Sequence, residues 1–150
     1  YKMGMTATAI RFYTDSERLA YQKIDGMNEV LRATPSELED ISTKYPDATF
    51  IIGHTGGGTE GRRESEKIAQ DPKYANCVFE FCGTFTTDIC WEDSFKYIDY
   101  RRVVYGTDTV VHEIAWELGR LLSLDIPEEW IEEILGNNMQ RILDKTQLPV

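Results

Sequence analysis

The stretch Thr49-Phe50-Ile51-Ile52-Gly53-His54-Thr55-Gly56 decides the fold. Residues 49–53 carry no charge and are rich in β-branched and aromatic side chains, the composition of a strand buried on both faces in a parallel sheet. His54 then opens a loop at the carboxyl end of that strand. Two further stretches repeat the pattern. Cys77-Val78-Phe79-Glu80-Phe81-Cys82 reads as a second strand, with Gly83-Thr84 beginning its loop, and Arg102-Val103-Val104-Tyr105 as a third, followed by Gly106-Thr107-Asp108. Helical stretches separate them. A polar one at 60–70 is stopped by Asp71-Pro72, and a short one at 91–98 has Trp91, Phe95 and Ile98 on one side. A third, at about 110–122, carries Ile114, Leu118, Leu121 and Leu122 as its buried stripe. Three successive βα units predict an α/β fold with a parallel sheet and right-handed crossovers.

On the amino-terminal side, Thr34-Pro35-Ser36-Glu37 is a helix start, with Thr34 as cap, Pro35 at the first helical position and Glu37 closing a capping box. Leu38 and Ile41 give that helix its apolar stripe, and Tyr45-Pro46 ends it. On the carboxyl side, Pro127 opens a helix running to 135, Gly136 breaks it, and Asn137 or Asn138 caps a last helix through 143. Residues 1–32 fit this rhythm poorly. Positions 7–13 alternate weakly like a strand, and 17–24 have a helical pattern.

Composition narrows the function classes. The 150 residues include 26 acids and 16 bases, a net charge of −10, and 41% are hydrophobic. That is enough apolar content for one folded domain over 1–150 and argues against disorder. An acidic excess opposes electrostatic capture of nucleic acid or anionic lipid, so neither a nucleic-acid nor a membrane partner is expected. No apolar run approaches the roughly 18–20 residues that cross a bilayer. Cys77, Cys82 and Cys90 form no disulfide framework and read as reduced core thiols of a cytoplasmic protein. Five apart on one strand, Cys77 and Cys82 point to opposite faces and do not bridge. Trp91, Trp116 and Trp130 read as packing residues, and Glu128, Glu129, Glu132 and Glu133 as a solvated helix face.

In parallel α/β folds the chemistry sits at the carboxyl ends of the strands. Here those ends hold His54, the Glu80–Thr84 region and Asp108. An imidazole and a carboxylate brought together suit a divalent metal such as zinc. His112, four residues past Asp108, is placed to line the mouth of such a site. Glu80 alternates with Phe79 and Phe81 and so faces away from both aromatics, where a carboxylate needs a partner or a metal. Cys82 and Ser94 have no base nearby in sequence and no nucleophile-elbow pattern, so covalent catalysis is not supported.

Four strings in order carry a resemblance. They are Phe50-Ile51-Ile52-Gly53-His54-Thr55-Gly56-Gly57, Asn76-Cys77-Val78-Phe79-Glu80-Phe81-Cys82-Gly83, Arg102-Val103-Val104-Tyr105-Gly106-Thr107-Asp108 and Ile134-Leu135-Gly136-Asn137-Asn138-Met139-Gln140-Arg141-Ile142-Leu143. Together they resemble the last third of the amidohydrolase-related, metal-dependent hydrolases, in the branch that holds the aminocarboxymuconate-semialdehyde-type decarboxylases. The resemblance spans about 33–144 and implies strands 6–8 of a (β/α)8 TIM barrel with its closing helices. It implies a divalent metal, most often Zn2+, with His54 as the sixth-strand histidine and Asp108 as the eighth-strand aspartate that binds metal or takes a proton from activated water. Glu80 and His112 would lie behind or beside these, toward the substrate. The implied reaction is hydrolysis or non-oxidative decarboxylation of a small carboxylate or amide. The chain has two histidines, His54 and His112, and no His-x-His pair. A barrel takes about 250 residues, so the expectation is a carboxyl-terminal part whose remaining ligands precede Tyr1. Such a part leaves strand edges uncovered, which makes a homo-oligomer an expected state.

A competing reading rests on Gly56-Gly57-Gly58-Thr59-Glu60-Gly61, which fits G-x-G-x-x-G between a strand and a helix, with Glu80 where a ribose-binding acid belongs. Arg62 and Arg63 are placed to meet phosphate in that case. A P-loop is excluded, because Thr59-Glu60 stand where Lys and Ser or Thr are required. The alternatives to an enzyme are thus a nucleotide-binding module or a non-catalytic α/β fragment.

Overall fold

The structure is a computed structural model that describes residues 8–11, 38–82, 88–109 and 113–145. Its sheet has four parallel strands in the order β1 (Thr8–Arg11), β2 (Phe50–Gly53), β3 (Cys77–Phe81) and β4 (Val103–Tyr105). The register runs Ile10 to Ile52, Ile52 to Phe79 and Phe79 to Val103. The helices are α1 (Leu38–Lys44), α2 (Gly58–Gln70), α3 (Asp88–Ser94), α4 (Ile114–Leu122), α5 (Glu128–Glu132) and α6 (Asn138–Lys145), with a π turn at Glu133–Asn137 between the last two. None of the described helices is long and apolar enough to cross a membrane.

Alternation along the strands makes two cores. Phe50, Ile52, Cys77, Phe79, Phe81 and Val103 pack on one face against Leu38, Ile68, Trp91, Leu121 and Ile134. Ile51, Val78 and Val104 are buried on the other face under Met139 and Ile142 of α6. Each such side chain contributes roughly 1.5–3 kcal/mol on burial. Strands buried on both sides explain why 50–53 and 77–81 are apolar almost without interruption.

Three side chains tie down the amino-terminal ends of the strands. Asn76 Nδ2 donates to the carbonyls of Ser42, Tyr45 and Ala48. The Arg102 guanidinium donates to the carbonyls of Cys77, Ala69 and Tyr74 and lies over the Phe79 ring. Asn138 Nδ2 donates to the Tyr100 and Val103 carbonyls at 2.8 and 2.7 Å.

The three predicted strands stand where expected, and the weak alternation at 7–13 is the edge strand β1. The helices differ in detail. The predicted helix at 91–98 is Asp88–Ser94, and Ile98 closes a turn onto the Ser94 carbonyl instead. The helix expected from 110 begins at Ile114, because Glu113 is extended (φ −74°, ψ 133°). Its buried stripe is Glu117, Arg120 and Leu121, whereas Ile114 and Leu122 are more than half exposed. Ile41 and Trp116 are exposed too, so neither is a core residue. Gly136 does not break the last helix. The chain passes through it in the π turn, and Asn138 is helical (φ −63°, ψ −47°) with its amide turned to β4 rather than capping. The helix start at Thr34-Pro35-Ser36-Glu37, the helical pattern at 17–24, the Gly83-Thr84 loop and His112 lie outside the described residues.

Candidate functional site

The carboxyl ends of β2 and β4 have unusual backbone. Among the described residues, the non-glycine positions with positive φ are His54 (53°), Thr55 (49°) and Asp108 (47°). A left-handed L-residue costs roughly 1–2 kcal/mol, and such strain collects where a site needs a particular side-chain direction. Two of the three are the residues that the strand-end argument selects.

The β2 turn is held from several sides. The His54 N–H donates to Glu80 Oε2 at 3.0 Å, and Thr55 Oγ1 donates to the Glu80 carbonyl at 2.8 Å. Ser65 Oγ of α2 donates to the Thr55 carbonyl at 3.0 Å. Gly56 (φ 87°) lies directly on Gly61, where a Cβ would overlap the Gly56 carbonyl. Gly56 and Gly61, two of the glycines that fit G-x-G-x-x-G, are thus used to pack this loop onto its own helix, and Arg62 pairs with Glu66 and Ser94. Neither arrangement leaves the open phosphate cradle that a dinucleotide requires.

On β4, the Gly106 N–H donates to the Phe81 carbonyl at 3.0 Å, and the chain then turns through Asp108. His54 Nε2 comes to 3.8 Å from Asp108 Oδ2, with the two side chains 13% and 20% exposed. The other ring nitrogen, Nδ1, lies 3.4 Å from the Cys82 carbonyl and 3.3 Å from Cys82 Sγ. In the tautomer protonated at Nδ1, that N–H points to the Cys82 carbonyl and leaves the Nε2 lone pair toward Asp108.

Cys82 therefore has a base beside it, which its sequence neighbourhood does not reveal. It is nonetheless not an activated nucleophile. Burial pushes its thiol well above the ordinary range, and the charges of Glu80, Asp108 and Glu117 push it the same way. An activated thiol needs the opposite surroundings. Two carboxylates are shown beside His54 at the strand ends, those of Glu80 and Asp108. Glu117, fully buried on α4, pairs with Arg120 at 2.9 Å, and Arg120 lies over the Phe81 ring. His54, Glu80 and Cys82 each offer a ligand atom within 4.8 Å of one another.

His54, Asp108 and Glu80 are thus brought together. Cys82 and Thr55 join them without having been singled out for this site, while the buried Glu117–Arg120 pair lies against Phe81. For Cys82 the signal was its strand parity with Glu80. For Thr55 and the buried ion pair there was none. A cavity of about 410 Å³ lies at the opposite end of the strands, lined by Asn76, Arg102, Asn138 and Arg141 among others. The guanidinium of Arg102 and the amides of Asn76 and Asn138 there are committed to carbonyls, and Arg141 to Glu133 and Asn138, which marks a stabilising face rather than a reactive one.

The amidohydrolase family profile matches residues 20–145, and the chain belongs to that family. No curated protein sequence matches it. Among solved structures, 2,6-dihydroxybenzoate decarboxylase from Rhizobium superposes with a TM-score of 0.60 at 16% identity, over 92% of this chain and 50% of that one. The 5-carboxyvanillate decarboxylase from Sphingomonas paucimobilis gives 0.61 at 16% identity, over 94% and 50%. A dihydroxybenzoic acid decarboxylase from Polaromonas, solved with manganese and the inhibitor 2-nitroresorcinol, gives 0.59 at 19% identity, over 95% and 50%. The chain spans about half the length of these structures, and its open parallel sheet with outer helices corresponds to part of a (β/α)8 barrel.

Proposed function

We propose that this chain carries the His54–Asp108 portion of a divalent-metal site in an amidohydrolase-type enzyme that decarboxylates or hydrolyses a small carboxylate or amide. The observation that carries the reading is the facing of His54 Nε2 and Asp108 Oδ2 at 3.8 Å, each on a left-handed residue at a strand's carboxyl end. The donor chemistry fits a cation. An imidazole nitrogen and a carboxylate oxygen suit zinc and manganese alike, and Glu80 and Cys82 offer further donor atoms within 4.8 Å of the imidazole. His54 and Asp108 would hold the ion. When bound, it supplies Lewis-acid charge to a substrate oxygen or to water.

The remaining steps belong to the chain. His54, with Nδ1 directed to the Cys82 carbonyl, presents Nε2 as an electron-pair donor. The Asp108 carboxylate is the group able to take a proton, and its partial burial keeps bulk water from competing for it. Glu117 is paired with Arg120 on its own helix, so its carboxylate is already engaged and is assigned no step on substrate.

The test is an assay of the complete protein, loaded with zinc or manganese, against small aromatic carboxylates and their amides. Release of CO2 from a carboxylate supports decarboxylation, and release of amine supports hydrolysis. An inert, metal-free protein under both conditions contradicts the proposal.

A further inference from the structure

We infer that Glu80 is the positioning residue that sets His54 and Asp108 facing one another. This deepens the reading of those two residues as a metal-holding pair and rests on it. Glu80 sits on β3, between the strands that end in His54 and Asp108. Its Oε2 accepts the N–H of His54, the first left-handed residue of the β2 turn, and its own carbonyl accepts the hydroxyl of Thr55, the second. The opposite edge of the carboxylate occupies the space where a side chain at position 106 would project. Only glycine at 106 admits it, and Gly106 leads directly into the left-handed Asp108 turn. One side chain is therefore both the lock on the His54 backbone and the spacer against the Asp108 strand. What it supplies is an acceptor oxygen of defined reach, so an amide oxygen at the same distance serves the same purpose.

Two measurements on the complete protein test this: Mn2+ affinity by titration calorimetry, and amide exchange at His54 by NMR in metal-free protein. Glu80→Ala should weaken Mn2+ binding by about 10–100-fold, the scale for losing a group that orients a ligand, and should speed exchange of the His54 amide. Glu80→Gln should restore both. Gly106→Ala meets the flexible end of Glu80 rather than backbone, so it folds while displacing the carboxylate, and it should reproduce Glu80→Ala in both readouts. The double variant should be no weaker than either single. If Glu80→Gln binds Mn2+ as poorly as Glu80→Ala with its His54 amide protected, Glu80 is itself a ligand and the positioning role is overturned. Unchanged His54 exchange in both Glu80→Ala and Gly106→Ala overturns it as well. A wild-type protein that binds no Mn2+ contradicts the metal reading instead, and the exchange measurement still decides the role of Glu80.

Discussion

His54 Nε2 and Asp108 Oδ2 face one another at 3.8 Å across strands that are not neighbours, since β3 lies between β2 and β4. Each of the two residues is itself left-handed, His54 directly after β2 and Asp108 three residues after β4, and that backbone turns their side chains toward one another. Asp108→Asn is a clean probe, because asparagine tolerates the left-handed conformation as well as aspartate does. In the complete enzyme, kcat/KM should fall by about 10²–10⁴, the scale of general acid–base help, with thermal stability unchanged.

Asn138 joins α6 to β4 through the Tyr100 and Val103 carbonyls. Asn138→Ala leaves both acceptors without that donor in a buried place, and unfolding free energy should drop by about 2–3 kcal/mol in a urea titration. Asn137→Ala, at an exposed position beside it, should change stability by less than about 0.5 kcal/mol.

The glycines divide sharply. Gly119, inside α4, has open space where a Cβ would stand, so Gly119→Ala should raise stability by about 0.5–1 kcal/mol. Gly61→Ala drives its methyl into the Gly56 carbonyl and should destabilise by about 1–3 kcal/mol or more. Paired denaturation curves check both.

The Cys77 thiol is fully buried, and burial pushes it above the usual thiol range. The folded state therefore holds this proton after the unfolded chain, with a thiol near pKa 8.5, has released its own. Stability from this group is intact below that pH and declines above it, by at most about 1.4 kcal/mol per pH unit. Between pH 8 and 10 the wild type should lose stability faster than Cys77→Val. Parallel slopes would contradict the assignment.

The sheet was legible because its strands are apolar on both faces, a pattern that 50–53 and 77–81 carry openly. The register of the last helices was not. An asparagine before a helical pattern reads as a cap, and the carbonyls that Asn138 serves lie far away in sequence, at Tyr100 and at Val103 of β4. On α4, Glu117 and Arg120 neutralise each other and take core positions that periodicity assigns to leucines, while Trp116 turns to solvent. For the site, strand-end position together with the family resemblance pointed to His54 and Asp108. The double use of Glu80 depends on the missing Cβ at Gly106, whose space the carboxylate fills, and Cys82 reads as core in sequence because its histidine neighbour arrives from a different loop. Such relations exist only after folding.

Metal stoichiometry of the complete protein, measured by elemental analysis for wild type, His54→Ala and Asp108→Asn, bears most directly on the central claim. The account predicts bound zinc or manganese in the wild type, a marked loss in His54→Ala, and a smaller loss in Asp108→Asn accompanied by the fall in rate. Wild-type metal content retained in His54→Ala, or full activity in Asp108→Asn, would contradict it.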